Sequence, residues 1–108
     1  MSDPAQLVLR LRLYVDSQAP ETALVERNLG RLFEEVGLRY EVETIDVREQ
    51  PDAAARDRIV LTPTLMRITP PEMRIAGDLS NTEAALDGLG LRVWEQRWDN
   101  GRAGGAVD

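Results

Sequence analysis

The 108-residue chain contains no cysteine, no histidine and no lysine. Each absence closes a group of chemistries. Without cysteine there is no thiolate nucleophile, and without cysteine and histidine there is no zinc cage. Without histidine there is no imidazole base and no Ser-His pair. Without lysine there is neither Schiff-base chemistry nor the lysine of a phosphate-binding loop. All 13 basic residues are therefore arginine, a usage that a genome's codon bias is enough to explain. No apolar run approaches the length of a membrane span. The formal net charge is −6 and no basic stripe is present, so the expected partners include neither a membrane nor nucleic acid. The opening MSDPAQ lacks the basic-then-apolar pattern of a signal peptide, and the expected location is cytoplasmic.

What is present is the composition of an ordinary globule, with 43% hydrophobic and 30% charged residues, in a length that fits one domain with a modest core. That core is expected over residues 7–98, followed by a Gly-rich, flexible tail from Asp99 to Asp108. From Leu7 to Val15 the apolar residues alternate: Leu7, Leu9, Leu11, Leu13 and Val15 share one face, Arg10, Arg12 and Tyr14 the other. This predicts a strand with one apolar and one polar face. Asp16 to Glu21 is a loop, with Pro20 suited to a first helical turn. Val25, Leu29, Leu32, Phe33 and Val36 then make one face of a helix over Glu21 to Val36, stopped by Gly37. Tyr40 to Val47 is a second strand. A strand, a helix-length crossover and a second strand imply a parallel pair. A short helix runs from Gln50-Pro51 to Asp57.

The second half carries the most specific signals. Thr62-Pro63 leads into a strand over Thr64 to Ile68, Pro70-Pro71 forces a turn, and Met73 to Ala76 returns antiparallel. Pro63 is a candidate cis proline. Ser80-Asn81-Thr82-Glu83 has the form of a capping box, with Ser80 as N-cap and Glu83 three residues on. After it, the run from Gly88 to Trp94 satisfies two periods. Leu86, Leu89 and Val93 fit a helix, while Leu89, Leu91 and Val93 alternate with Gly88, Gly90 and Arg92 as in a strand.

Candidate chemistry is thin. Ser17, in the loop before the first helix, has no histidine or lysine to activate it and is expected to be a turn hydroxyl. Asp46, Glu49 and Asp52 follow the second strand, and three acids beside a helix start are expected as dipole partners, with no metal. No catalytic residue and no cofactor are expected. Trp94 and Trp98, four apart, fit core packing or an interface.

The order LTPTL, double proline, strand and GDLS helix start is that of the back half of a thioredoxin-like layout. Together with LRLYV, YEVETIDV, DRIVLTPTL and GDLSNTE, it resembles the KaiB family of circadian clock proteins over about Leu9 to Leu91. The resemblance implies an α/β fold of order βαβαββα, or the alternative KaiB ground state βαββααβ, in which the second half refolds and the protein assembles as a homodimer or homotetramer. It implies a non-enzymatic regulator that binds the hexameric KaiC ATPase-kinase ring, modulates its phosphorylation and displaces the input domain of the SasA histidine kinase. Tyr40 and Arg58 match aromatic and basic positions on the family's KaiC-facing surface. Glu41 and Glu43 fall on the same surface, where cyanobacterial members often carry a small residue and a lysine, so the local charge is inverted. The implied switch positions are Pro63, Pro70, Pro71, Gly88 and Gly90, with Gly90 in place of a common aspartate. The loop before Ile75 is one residue short, and the tail with its two tryptophans has no counterpart. These departures count against KaiA as a partner. The alternative is a thioredoxin-like sensory or adaptor module of a histidine-kinase or stress-response pathway without KaiC.

Overall fold

Alternation in the first strand sets the architecture. The computed structural model describes residues 8–91, so Trp94, Trp98 and the tail lie outside the described residues. Strand β1 (Val8–Val15) is followed by α1 (Glu21–Val36), β2 (Arg39–Asp46), α2 (Pro51–Arg56), β3 (Thr64–Arg67), β4 (Met73–Ala76) and α3 (Thr82–Gly88). This is the βαβαββα order. The strands form one sheet in the order β2-β1-β3-β4. β1 lies parallel to β2, from Val8 opposite Arg39 to Val15 opposite Asp46. β3 runs antiparallel to β1, with Leu13 opposite Leu65, and β4 antiparallel to β3.

One sheet face carries the main core. Leu9, Leu11, Leu13 and Val15 pack with Val25, Leu29, Leu32 and Phe33 of α1 and with Ala85, Leu86, Leu89 and Leu91 in and after α3. The four α1 residues recur at helical spacing, so the helix can lay a single apolar stripe on the sheet. Where α1 begins, the Asp16 carboxylate accepts the Gln18 N–H and the Thr22 hydroxyl donates to the Asp16 carbonyl. Where it ends, Gly37 adopts φ +75° and donates its N–H to the Phe33 carbonyl, the left-handed cap that glycine adopts without steric cost.

The other face departs from the simple polar expectation. Arg10 is exposed, but Tyr14 is fully buried with Ile45, Ala53 and Met66. The reason is α2, which crosses this face at the C-terminal end of β1. Its Ala53 carbonyl accepts the Tyr14 hydroxyl at 3.1 Å.

A second correction concerns the start of α3. The N-cap is Asn81, whose Oδ1 accepts the Ala84 N–H at 3.0 Å, and Ser80 does not cap. The Asp78 carboxylate takes the Ser80 N–H into its own two-residue turn, at 2.9 Å, and Leu79 has φ +65°. The chain therefore enters the helix one residue later than the capping box predicts. The two-period run is resolved over its described part: α3 ends at Gly88, and Leu89 and Leu91 are fully buried.

Three groups hold that end of α3 on the sheet. Arg67 of β3 donates from Nη1 to the Leu89 carbonyl, from Nε to Thr69 and from Nη2 to Pro70. A Cβ on Gly88 would lie 3.1 Å from Ile75 Cδ1, and one on Gly90 would lie 2.7 Å from Met73 Sδ. Gly90 also has φ +71°. Gly90→Ala is expected to cost about 1–3 kcal/mol, from a strained backbone and the clash. Gly30, inside α1 with nothing within 4 Å of its added Cβ, should respond oppositely: Gly30→Ala should stabilise by about 0.5–1 kcal/mol. Urea unfolding midpoints of the two variants check both signs.

Candidate partner-binding surface

The β1–β2 register explains what surrounds the expected contact residues. Arg10 faces Glu41 and Arg12 faces Glu43 across the pair. Side chains directly opposite on one face are close enough to interact. Arg10 Nε lies 3.9 Å from Glu41 Oε1, with both side chains about 70% exposed, so this pair contributes about 0–1 kcal/mol. Arg12 Nε donates to Glu43 Oε1 at 3.3 Å. The local charge inversion expected from Glu41 and Glu43 is therefore offset by arginines that are remote in sequence. With Val42 and Ile68 these four residues line a shallow groove of about 290 Å³.

Tyr40 is not on this face. Alternation along β2 points it to the α1 side, where its ring stacks on Phe33 with centroids 4.6 Å apart and planes 23° from parallel. Arg58 lies beyond α2, on the loop that follows it, with φ +56° and an exposed side chain. The four residues thus occupy three places: the α1 side of the β2 edge, the opposite face of β2, and the α2–β3 loop. Of the switch residues, Pro63 and Pro71 each follow a cis peptide bond, Thr62–Pro63 and Pro70–Pro71.

A polar network missed in the sequence joins the two sheet-face regions. Arg12 Nη1 donates to Asp57 Oδ2 at 2.9 Å, and the Tyr14 hydroxyl donates to the same oxygen. Arg74 Nη1 donates to the Asp57 carbonyl at 2.7 Å and to that of Arg58 at 3.3 Å. The Tyr14 hydroxyl, outweighing the opposing effect of burial and aided by Arg12, holds the Asp57 carboxyl below its ordinary range. Burial, then Asp57, pushes the Tyr14 phenol up. Positions 12, 14 and 57 share no local motif, so no sequence spacing announces the network.

A second shallow hollow, of about 140 Å³, is lined by Arg58, Ile59, Val60, Leu61, Thr64, Arg74 and Ala76. Val60 is 89% and Leu61 61% exposed, far more than Leu24 and Val42, the other exposed large aliphatics among the described residues. Of the expected acid trio, Asp46 turns its Oδ1 to the N–H groups of Arg48, two residues on, and of Ser17 in the β1–α1 loop, and Asp52 lies in the first turn of α2. Among the described residues no group of three potential metal ligands occurs, and no helix is long and apolar enough to cross a membrane.

The family model described as KaiB domain matches residues 12–91. The circadian clock protein KaiB3 of Synechocystis sp. is 43% identical over 83 residues, covering 75% of this chain and 81% of that protein. The circadian clock oscillator protein KaiB of a Synechococcus species is 40% identical over 95 residues, 86% of each chain. Among solved structures, the N-terminal domain of Synechococcus elongatus SasA matches with a TM-score of 0.66 at 24% identity, covering 90% of this chain and 92% of that one. Chloroplastic thioredoxin z matches with a TM-score of 0.62 at 24% identity, covering 85% and 80%. These two likenesses establish a thioredoxin-like fold.

The Asp57 network sets a pH dependence. A carboxyl held below its unfolded value of about 3.9 stabilises the fold above that pH, and the contribution is lost as pH falls through the folded value. Tyr14→Phe removes the hydroxyl and should cost about 1.5 kcal/mol at pH 7. The deficit should shrink as pH falls below the unfolded carboxyl value of about 3.9 and through the lowered folded value, where Asp57 takes up its proton. Urea titrations of wild type and variant at pH 7 and pH 3 measure it; an equal deficit at both would mean the carboxylate is not the partner that matters.

Proposed function

The chain belongs to the KaiB family, and from that premise we propose that it is a non-enzymatic regulator acting on a KaiC-like hexameric ATPase-kinase ring. Its role in a clock-related system follows from the family. The finer reading is that it docks on the ring and modulates the ring's phosphorylation state. The observation that carries it is the family match over residues 12–91, which spans every element from within β1 to the end of α3. The chemistry of the chain supports it: Ser17, in the loop where a thioredoxin-type enzyme would place its thiolate, is an exposed serine in a sequence with no histidine or lysine side chain to activate it.

Glu41, Glu43 and Arg58 are the proposed contact residues. Tyr40 would act by fixing the β2 edge against Phe33. The Arg10–Glu41 and Arg12–Glu43 pairs make that face a charge-balanced ladder, so a ring partner need not carry a compensating basic patch. A SasA-type histidine kinase is the proposed competitor, because its N-terminal domain has the same fold and could occupy an overlapping place on the ring.

The expected outcome is ATP-dependent co-elution of the chain with the KaiC-like protein of its own organism, with a changed rate of ring phosphorylation or dephosphorylation. Glu43→Lys should retain co-elution. Failure of both proteins to co-elute under any nucleotide condition would remove the reading in favour of an adaptor module without KaiC.

A further inference from the structure

Every sulfur atom of the chain belongs to a methionine. There is no cysteine, and the three methionines are Met1, Met66 and Met73. With no thiol to intercept a peroxide, the thioethers are the oxidisable sulfur. The two described methionines stand differently. Met66 lies in the cluster under α2 and is 1% exposed. Met73, the first residue of β4, is partly exposed.

Met73 also supports the end of α3. It lies opposite Arg67 across the β3–β4 pair. On the α3 side its sulfur packs against Gly90: the position a Cβ would take there is 2.7 Å from Met73 Sδ and 3.1 Å from Arg67 Nη1. The same Nη1 donates to the Leu89 carbonyl at 2.7 Å. Thioether, guanidinium and the last turn of α3 therefore meet at one point. The N–H groups of Leu89, Gly90 and Leu91 complete that turn by bonding to the carbonyls of Ala85, Asp87 and Leu86.

A thioether suits this seat and a sulfoxide does not. Oxidation turns a flexible apolar side chain into a polar, chiral one. On the side facing Gly90 no space is left for a further atom, so an oxygen placed there displaces the last turn. On the other side the oxygen is a strong acceptor beside Arg67 and draws Nη1 away from the Leu89 carbonyl. The two sulfoxide epimers thus loosen the same turn by different routes.

We propose that Met73 is a reversible oxidation site whose substrate is a hydroperoxide and whose sulfoxide releases the end of α3 from β4. A sulfur lone pair forms the new S–O bond as the O–O bond breaks. Sulfur loses two electrons, and the proton on the transferred oxygen passes to the departing oxygen, which leaves as water or an alcohol. A methionine sulfoxide reductase reverses the step: its dithiol carries the oxygen off as water and is left as a disulfide. The site is independent of the ring-binding reading.

Trypsin separates the three sulfurs, because arginines stand at positions 10, 58, 67 and 74. Met1 falls in peptide 1–10, Met66 in 59–67 and Met73 in 68–74. The test treats the folded full chain with hydrogen peroxide and follows the three peptides by mass spectrometry. Met73 should oxidise at least about tenfold faster than buried Met66. In the oxidised chain, hydrogen exchange at the N–H groups of Leu89, Gly90 and Leu91 should be about fivefold faster or more, with Leu11 and Leu13 of β1 unchanged. Reductases for both epimers, with dithiothreitol, should restore the starting pattern. Met73→Leu, a volume-conserving swap, should show no change on peroxide treatment. Oxidation of Met73 no faster than that of Met66 overturns the proposal, as does an oxidised chain whose α3 exchanges as before. A response that persists in Met73→Leu, or that the reductases do not reverse, overturns it as well.

Discussion

Strand β1 is the constraint on which the rest depends. It is the only described strand paired with β2, and it carries β3 on its other side. Its Leu9, Leu11, Leu13 and Val15 must be covered by α1 and α3. Its opposite face is divided. Tyr14 lies under α2, Arg10 stands in water, and Arg12 sits at the boundary between them. A guanidinium at such a boundary requires charged partners to offset its partial loss of solvent. Asp57 supplies one from the end of α2 and Glu43 another from β2. The same few atoms therefore tie helix, edge strand and central strand together.

That arrangement also decides what remains available outside. Because Asp57 is turned inward to Arg12 and Tyr14, its carboxylate is committed to the interior while Arg56 and Arg58 beside it stay exposed. Because α2 has only six residues, it covers one end of the sheet and leaves the Arg–Glu ladder open at the other. Because Ile59 is drawn into the small cluster, Val60 and Leu61 are left outside. The exposed Val60 and Leu61 beside Arg58 are thus the outer counterpart of an inner polar network. At the far end of the sheet, Arg67 and two glycines perform a separate task, allowing α3 to press its last turn against β4 and stay there.

Much of this was legible along the chain. The alternation of β1 and the 3.6-residue stripe of α1 are local patterns enforced by burial, and α1 and β4 have the predicted bounds, Glu21–Val36 and Met73–Ala76. The capping-box pattern places the cap of α3 one residue early because Ser80, Asn81 and Asp78 can all satisfy a backbone N–H. Which one does so depends on the turn that delivers the chain to the helix. Alternation puts Tyr14 on the polar face of β1 because it gives a side chain's direction without saying what covers that side. The contact residues Tyr40 and Glu41 are neighbours in sequence, yet point to opposite faces for the same geometric reason.

By itself, the sequence determined the elements, their order, the family and the exclusion of thiolate, imidazole and amine chemistry. Each of these depends on residue identity or on spacing within a single element. Tertiary structure alone decided that Glu41 and Glu43 are matched by arginines, that Asp57 serves the interior, and that Val60 and Leu61 are exposed. Those outcomes depend on distances between residues 31 to 45 positions apart, which only the register of β1 with its neighbours and the placement of α2 can set.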